Sequence, residues 1–429
     1  MSQLPAYVDI RPLKHPIDAV INVPGSKSIT NRALVLAALA EGESALENAL
    51  FSEDSHWCSQ ALQQLGIPLT AEAEAARFLV QGKGGVFPAA HADLFVGNSG
   101  TTARFLVAAA ALGNGAYRFD GVPRMRQRPI SPLLAALRQL GAQFSFEGAA
   151  DAFPLTVHAA GLQGGTVALE ATNSSQYVSA LLQAAPYAHS DVTICLTGEV
   201  VSEPYIEMTL RVMAQFGVSA DKSDYRNYHV RAGQRYQAQR YVIEPDASNA
   251  TYFFAAAALI GGRVRVPHLS ANSLQGDARF VDVLEQMGCQ VERAATYLEV
   301  RSTGQLRGVD VDLNAMSDTA QTLAAIAPFA STPTHIRNIG HIRHKETDRI
   351  AALATELRKL GAQVEERADS LTIYPSALQP AEIETYDDHR MAMAFAVTGL
   401  ALDGVRIKNP ACTAKTFPDY FAHFEALYR

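Results

Sequence analysis

Val283-Leu-Glu-Gln-Met-Gly288, with the alternating Gln290-Val-Glu after it, decides the fold, because the chain carries four near copies of it. They are Ala61-Leu-Gln-Gln-Leu-Gly66, Ala136-Leu-Arg-Gln-Leu-Gly141, Val212-Met-Ala-Gln-Phe-Gly217 and Glu356-Leu-Arg-Lys-Leu-Gly361. Each reads as the end of an amphipathic helix, a glycine able to take positive φ just past it, and then a strand. A sixth copy falls on Tyr420–Tyr428.

A second kind of segment alternates with the first. It has a small polar start, an Ala/Leu-rich helix, Gly or Asp, and a short β-rich run. It occurs at Ser28–Leu46, Gly100–Phe119, Ser174–Leu196, Ser248–Val266, Asp318–Ile336 and His389–Ile407. The starts recur at roughly 70–75 residues, a period that implies whole supersecondary units. A helix such as Phe253-Phe-Ala-Ala-Ala-Ala-Leu259 is apolar all round and belongs inside a domain. Three units per domain is the natural packing, with a break near Ile243–Glu244. A continuous solenoid is the alternative, but solenoid repeats run about 20–45 residues. A first strand over Val8–Val23 precedes the first unit and is free to pair with the C-terminal domain.

Bulk composition narrows the function. The 429 residues are 48% hydrophobic and 18% charged, which suits two or three folded domains and little disorder. A net charge of -7 gives no sign of a nucleic-acid binder, which needs a basic domain or stripe. Cys58, Cys195, Cys289 and Cys412 are far apart and read as reduced thiols, not as a zinc site or disulfide framework. Met1–Pro12 has no apolar signal core, and no run reaches the ~20 apolar residues of a membrane span. The expectation is a cytoplasmic enzyme. His56, His91, His158 and His268 read as solvated or structural.

The polar helix starts carry the chemistry. They are Gly25-Ser-Lys-Ser-Ile-Thr-Asn-Arg32, Gly97-Asn-Ser-Gly-Thr-Thr-Ala-Arg104, Thr172-Asn-Ser-Ser-Gln176, Asp246-Ala-Ser-Asn249, Ser317-Asp318 and Asp387-Asp-His-Arg390. Free backbone N–H groups and the helix dipole make such a start an anion site. Ordinary N-capping accounts for any one Ser, Asn or Asp. It does not account for Lys27, Arg32, Arg104 and Arg390, since cations near the start oppose the dipole and want an anion to offset them. Arg124-Met-Arg-Gln-Arg128, His344-Lys345-Glu-Thr-Asp-Arg349 and Lys415 add further cations. For Lys345 and Arg349 a solvated i, i+4 face is the plain alternative. Small substrates bearing phosphate and carboxylate fit this set, with arginines gripping the flat oxygens in pairs. Asp318 and Glu346 would be the acids that exchange protons there.

These motifs, with Pro24, Arg128-Pro, Asp388-His-Arg-Met-Ala-Met393 and Thr413-Ala-Lys-Thr-Phe-Pro-Asp419, resemble those of the EPSP synthases, in order and over nearly the whole chain. The resemblance implies an α/β (α+β) fold of two similar domains. Each holds three βαβαββ units with buried helices, an inside-out α/β barrel. The domains would be residues 26–243 and the discontinuous 1–25 plus 244–429, with the active site in the cleft between them.

The resemblance also implies transfer of the enolpyruvyl group of phosphoenolpyruvate to the 5-hydroxyl of shikimate 3-phosphate by addition and elimination. It implies no cofactor, no metal, no nucleic-acid or membrane partner, and a monomer. Shikimate 3-phosphate would be held by Lys27, Ser28, Arg32, Ser174, Ser175, Gln176, Ser202, Tyr205, Asp318, His341 and Lys345. Phosphoenolpyruvate would be held by Lys27, Asn98, Gly100, Arg124, Gln176, Arg349, His389, Arg390 and Lys415. Asp318 would take the hydroxyl proton, and Glu346 with Lys27 would serve the enol carbon.

Two positions depart from the family pattern. His341 stands where Asn is frequent, at a contact to the shikimate phosphate, and a histidine there makes the contact pH-dependent. Phe105 follows Arg104 where Pro is usual, and it bears on how the Gly100 helix is set and on inhibition by glyphosate. The rival readings are an enolpyruvyl transferase of UDP-N-acetylglucosamine, whose mobile-loop Cys is missing from Gly121–Arg128, and a non-catalytic anion binder or RNA-end-processing relative.

Overall fold

A computed structural model describes residues 5–224 and 226–429. The chain divides into two compact units, one of Gly25–Ile243 and one of Met1–Pro24 with Glu244–Arg429.

In the first unit the described residues form three four-stranded sheets of one design, a parallel pair extended by two antiparallel strands. Arg240–Val242 runs parallel to Glu41–Glu47, which pairs with Arg77–Lys83 and then Leu69–Glu72. His91–Phe95, Asn114–Asp120, Leu155–Ala160 and Gln143–Phe146 follow the same order, as do Gly165–Glu170, Val192–Thr197, Asn227–Val230 and Asp221–Lys222. The unit's last strand thus lies beside its first. Asn48 Nδ2 donates to the Ile243 carbonyl at 2.8 Å, and Ile243 N donates to Glu47 O at 2.9 Å.

The second unit repeats the design. Ile17–Val20 runs parallel to Gly262–Pro267, followed by Tyr297–Ser302 and Gln290–Arg293. Asp310–Asp312, Thr334–Arg337, Leu371–Ile373 and Val364–Glu366 form the next sheet. In the third, Ala381–Ile383 runs parallel to Val405–Lys408, and Tyr7–Asp9 pairs antiparallel on the far side. The single strand anticipated over Val8–Val23 is therefore two short strands in two sheets. Pro12 and Pro16 intervene, and proline lacks the N–H that a continuous ladder needs.

Six helices carry the apolar segments: Lys27–Leu39, Gly100–Ala110, Gln176–Ala184, Ala247–Ile260, Ala320–Ile326 and His389–Gly399. Nearly all their residues are buried, and every residue of Ala247–Leu259 is. Alanine keeps these helices thin enough to pack closely. Each fully buried Leu or Phe contributes about 1.5–3 kcal/mol. The helix starts are tied sideways by polar contacts. Asn31 Nδ2 donates to Thr101 Oγ1 at 2.6 Å, and the Thr251 and Thr322 hydroxyls lie 2.9 Å apart. The more amphipathic helices end at Gly66, Gly141, Gly217, Gly288 and Gly361, whose φ values run from +85° to +111°. That region suits glycine because it has no Cβ.

Candidate active site

In the Gly25–Ile243 unit the helix starts differ in a way that bears on ligands. Ser99 caps its own helix, accepting from Thr102 N. Ser26 precedes Lys27–Leu39 without capping it, and its buried Oγ has no partner among the described residues. Ser175 makes no side-chain cap either, while Ser174 Oγ accepts from Gln176 N at 3.2 Å. The starts bearing Lys27–Ser28 and Ser175–Gln176 therefore keep backbone donors that their own caps do not consume. Lys27 lies 3.5 Å from the buried Asp54.

Arg32 is 1% exposed and makes no salt bridge among the described residues. It donates from Nε to Thr209 Oγ1 at 2.7 Å and from Nη1 to Ser28 O at 2.9 Å. Its Nη2 donates to Ser179 Oγ at 3.2 Å and to Tyr205 O at 3.1 Å. Those four bonds leave one of the five guanidinium N–H groups over, on Nη1. Burial pulls the guanidinium down to about 10, so it stays charged at neutral pH, in a site where an unpaired charge is costly. The ring of Phe105 lies against it.

The Gly97–Gly100 turn forms a second group. Arg128 Nη1 donates to Asn98 O at 2.8 Å and to Asn98 Oδ1 at 3.2 Å. A Cβ on Gly100 would stand 2.5 Å from Arg128 Nη2 and 3.1 Å from Gln176 Oε1. Asn98, Gly100 and Gln176, named separately from sequence, thus meet around Arg128. Arg128 was not among the expected site residues, although the quoted motifs Arg124-Met-Arg-Gln-Arg128 and Arg128-Pro contain it. Arg124 reaches Gln127 Oε1 at 3.4 Å, and Arg104 donates to the Pro129 carbonyl at 2.6 Å. Ser202 takes φ +53° and opens the Glu203–Gln215 helix, which carries Tyr205.

The other unit gathers an ionic cluster. Arg349, 1% exposed, donates from Nη1 to Asp318 Oδ1 at 2.9 Å, from Nη2 to Glu346 Oε2 at 2.9 Å and from Nε to Asp388 Oδ2 at 2.7 Å. Burial lowers its proton affinity, but Asp388, Glu346 and Asp318 outweigh that and hold it firmly protonated. Arg390 Nη2 donates to Asp318 Oδ2 at 2.7 Å and to Ser248 Oγ at 3.2 Å. Lys415 Nζ stands 3.9 Å from Glu346 Oε1. Arg349 and Glu346 are therefore buried partners and not a solvated helix face, while Lys345 is half-buried.

Asp388 was not anticipated as a site residue. It caps the His389–Gly399 helix, and His389 is fully buried beside it. His341 is buried, with Nε2 2.8 Å from Ser317 Oγ. Burial and the neighbouring Lys345 push it down to about 3. Burial among these residues thus keeps the ring neutral at physiological pH.

Four free cysteines are present, and no helix among the described residues is long and apolar enough to cross a membrane. Burial pushes Cys58 up to about 12, which leaves it an inert thiol.

Comparison with known proteins assigns the family. The sequence profile of EPSP synthase (3-phosphoshikimate 1-carboxyvinyltransferase) matches residues 13–424. A 3-phosphoshikimate 1-carboxyvinyltransferase of Nostoc punctiforme is 58% identical over 97% of this chain and 98% of its own. One of Trichormus variabilis is 57% identical, with the same coverage of 97% and 98%. A solved EPSP synthase from Acinetobacter baumannii superposes with a TM-score of 0.81 at 24% identity, over 98% of this chain and 97% of that one, a likeness of fold. With a matching profile across the whole site-bearing region and relatives more than half identical, the chain belongs to the EPSP synthase (3-phosphoshikimate 1-carboxyvinyltransferase) family of transferase enzymes.

Proposed function

We infer that this chain transfers the enolpyruvyl group of phosphoenolpyruvate to the 5-hydroxyl of shikimate 3-phosphate, releasing phosphate. The observation that carries the reading is the grip of Arg349 and Arg390 on one carboxylate, at 2.9 and 2.7 Å. Two guanidiniums converging on one planar group form a carboxylate-binding geometry, and the donor substrate bears a carboxylate. The buried Arg32, with no acid paired to it among the described residues, supports an anionic acceptor.

Lys27, Ser28, Arg32, Ser174, Ser175, Gln176, Ser202, Tyr205, His341 and Lys345 hold the acceptor. His341 does so as a neutral imidazole. Lys27, Asn98, Gly100, Arg124, Gln176, Arg349, His389, Arg390 and Lys415 hold the donor. Asp318 takes the hydroxyl proton as the oxygen bonds to C2 of phosphoenolpyruvate, and Glu346 with Lys27 delivers a proton to C3. The tetrahedral adduct then loses a C3 proton, the C2–O bond to phosphorus-bearing oxygen breaks, and phosphate leaves. Surrounding cations stabilise the charge that develops on carboxylate and phosphate.

The finer architecture belongs to the same reading. Each unit would be three βαβαββ repeats around buried helices, an inside-out barrel, which the shared strand order of the sheets supports. Glyphosate would act as inhibitor near Gly100, and the chain would work as a monomer in the cytoplasm.

The test is phosphate release on mixing the protein with phosphoenolpyruvate and shikimate 3-phosphate, beside a UDP-N-acetylglucosamine control. Release with shikimate 3-phosphate alone is expected. Release only with the UDP-sugar would replace this reading with its rival.

A further inference from the structure

Asp318 already occupies the place that a substrate carboxylate needs. Its two oxygens take up Arg349 Nη1 at 2.9 Å and Arg390 Nη2 at 2.7 Å. We propose that Asp318 is an internal stand-in for the donor's carboxylate. It holds the two arginines in the ligand-free protein, is displaced by phosphoenolpyruvate, and becomes a proton acceptor only on release. The proposal rests on the assignment of phosphoenolpyruvate to Arg349 and Arg390 and of the hydroxyl proton to Asp318.

The pairing within the cluster calls for some exchange of this kind. Asp318, Glu346 and Asp388 take up Arg349, Arg390 and Lys415. The two guanidinium edges that an incoming carboxylate would use are therefore already engaged by Asp318, which has to give them up for the ligand to take its place.

The structure distinguishes which acid can leave. Asp388 has a fully buried side chain, is fixed by its cap to Arg390 N at 3.0 Å, and takes two bonds from Arg349. The Glu346 side chain is 7% exposed and spans Arg349 and Lys415. The Asp318 side chain is 16% exposed, the most open of the three. It sits in the short 3-10 stretch Asn314–Thr319, where Met316 breaks the helical path at φ −138°, ψ 45°.

The exchange couples binding to chemistry. A carboxylate held by two guanidiniums is a poor proton acceptor, and one released from them is a better one. The donor's arrival would therefore switch on the group that takes the acceptor's hydroxyl proton. No bond to the protein forms. The O–H bond of the acceptor breaks, its proton moves to Asp318, the oxygen's electron pair goes to C2 of the donor, and the C2=C3 π pair takes up a proton at C3.

The test measures phosphoenolpyruvate binding by calorimetry, with and without shikimate 3-phosphate, in Asp318→Asn and Asp318→Ala. If Asp318 holds the arginines nine-tenths of the time, removing its charge tightens phosphoenolpyruvate roughly tenfold in both variants. Phosphate release should meanwhile fall by roughly 100-fold or more. Unchanged or weaker binding with turnover lost would overturn the exchange and leave Asp318 as the base. Turnover near the native level would overturn the assignment of the proton to Asp318, and the exchange with it.

Discussion

The guanidinium carbon of Arg32 lies 5.0 Å from the ring centroid of Phe105, and both side chains are buried to 1% exposure. No acid pairs with Arg32 among the described residues, so this ring, with the Ser28 and Tyr205 carbonyls, supplies negative potential where a carboxylate is missing. A desolvated contact of this kind is worth about 2 kcal/mol. Phe105→Leu should therefore cost about 2–3 kcal/mol in denaturant unfolding. Phe119→Leu, at a site equally buried, should cost only the lost packing. Equal losses at the two positions would show that Phe105 is packing alone.

His341 gives a prediction with a definite sign. Its folded-state value, about 3, lies below the ordinary 6.5, so between those values the unfolded chain binds a proton that the folded chain does not. The contribution to stability is whole above about pH 6.5 and is lost as pH falls towards 3. The interval from 6.5 to about 3 corresponds to about 5 kcal/mol, of which about 3 kcal/mol is lost by pH 4. Unfolding between pH 7 and pH 4 should show His341→Asn losing less stability than the native sequence on acidification. The pH profile of turnover from 6 to 9 should be the same in both, and a His341-dependent limb within that range would contradict a neutral ring.

Gly100 faces Arg128 with no room to spare. The Cβ of Gly100→Ala would sit 2.5 Å from Nη2, so the guanidinium must move and its two bonds to Asn98 must loosen. Steady-state kinetics should show KM for phosphoenolpyruvate rising roughly tenfold, with KM for shikimate 3-phosphate changed less than threefold. An equal rise in both would mean that Gly100 supports the fold and not the donor site.

Local sequence carried much of this. The helix ends at Gly66, Gly141, Gly217, Gly288 and Gly361 were legible because a positive φ selects glycine. The burial of Phe253–Leu259 was legible because an apolar helix has no polar face to turn to water. The motifs also named Lys27, Arg32, Asp318, Arg349 and Arg390 by type and position. What they could not show was which charges meet. Asp388 lies 39 residues from Arg349, Asp318 lies 72 from Arg390, and Phe105 lies 73 from Arg32. Nor could sequence show that Ser99 and Asp388 cap their helices while Ser26 does not, since all three are good capping residues.

The chain by itself thus determined the elements, their glycine punctuation and the inventory of charged groups. Only the tertiary structure decided that Asp318 rests between two arginines, that Arg32 faces a ring in place of an acid, and that His341 is neutral. Backbone preference acts over a few neighbouring residues. A side chain's charge, partner and proton affinity depend on what the fold buries around it, and those groups come from distant parts of the sequence.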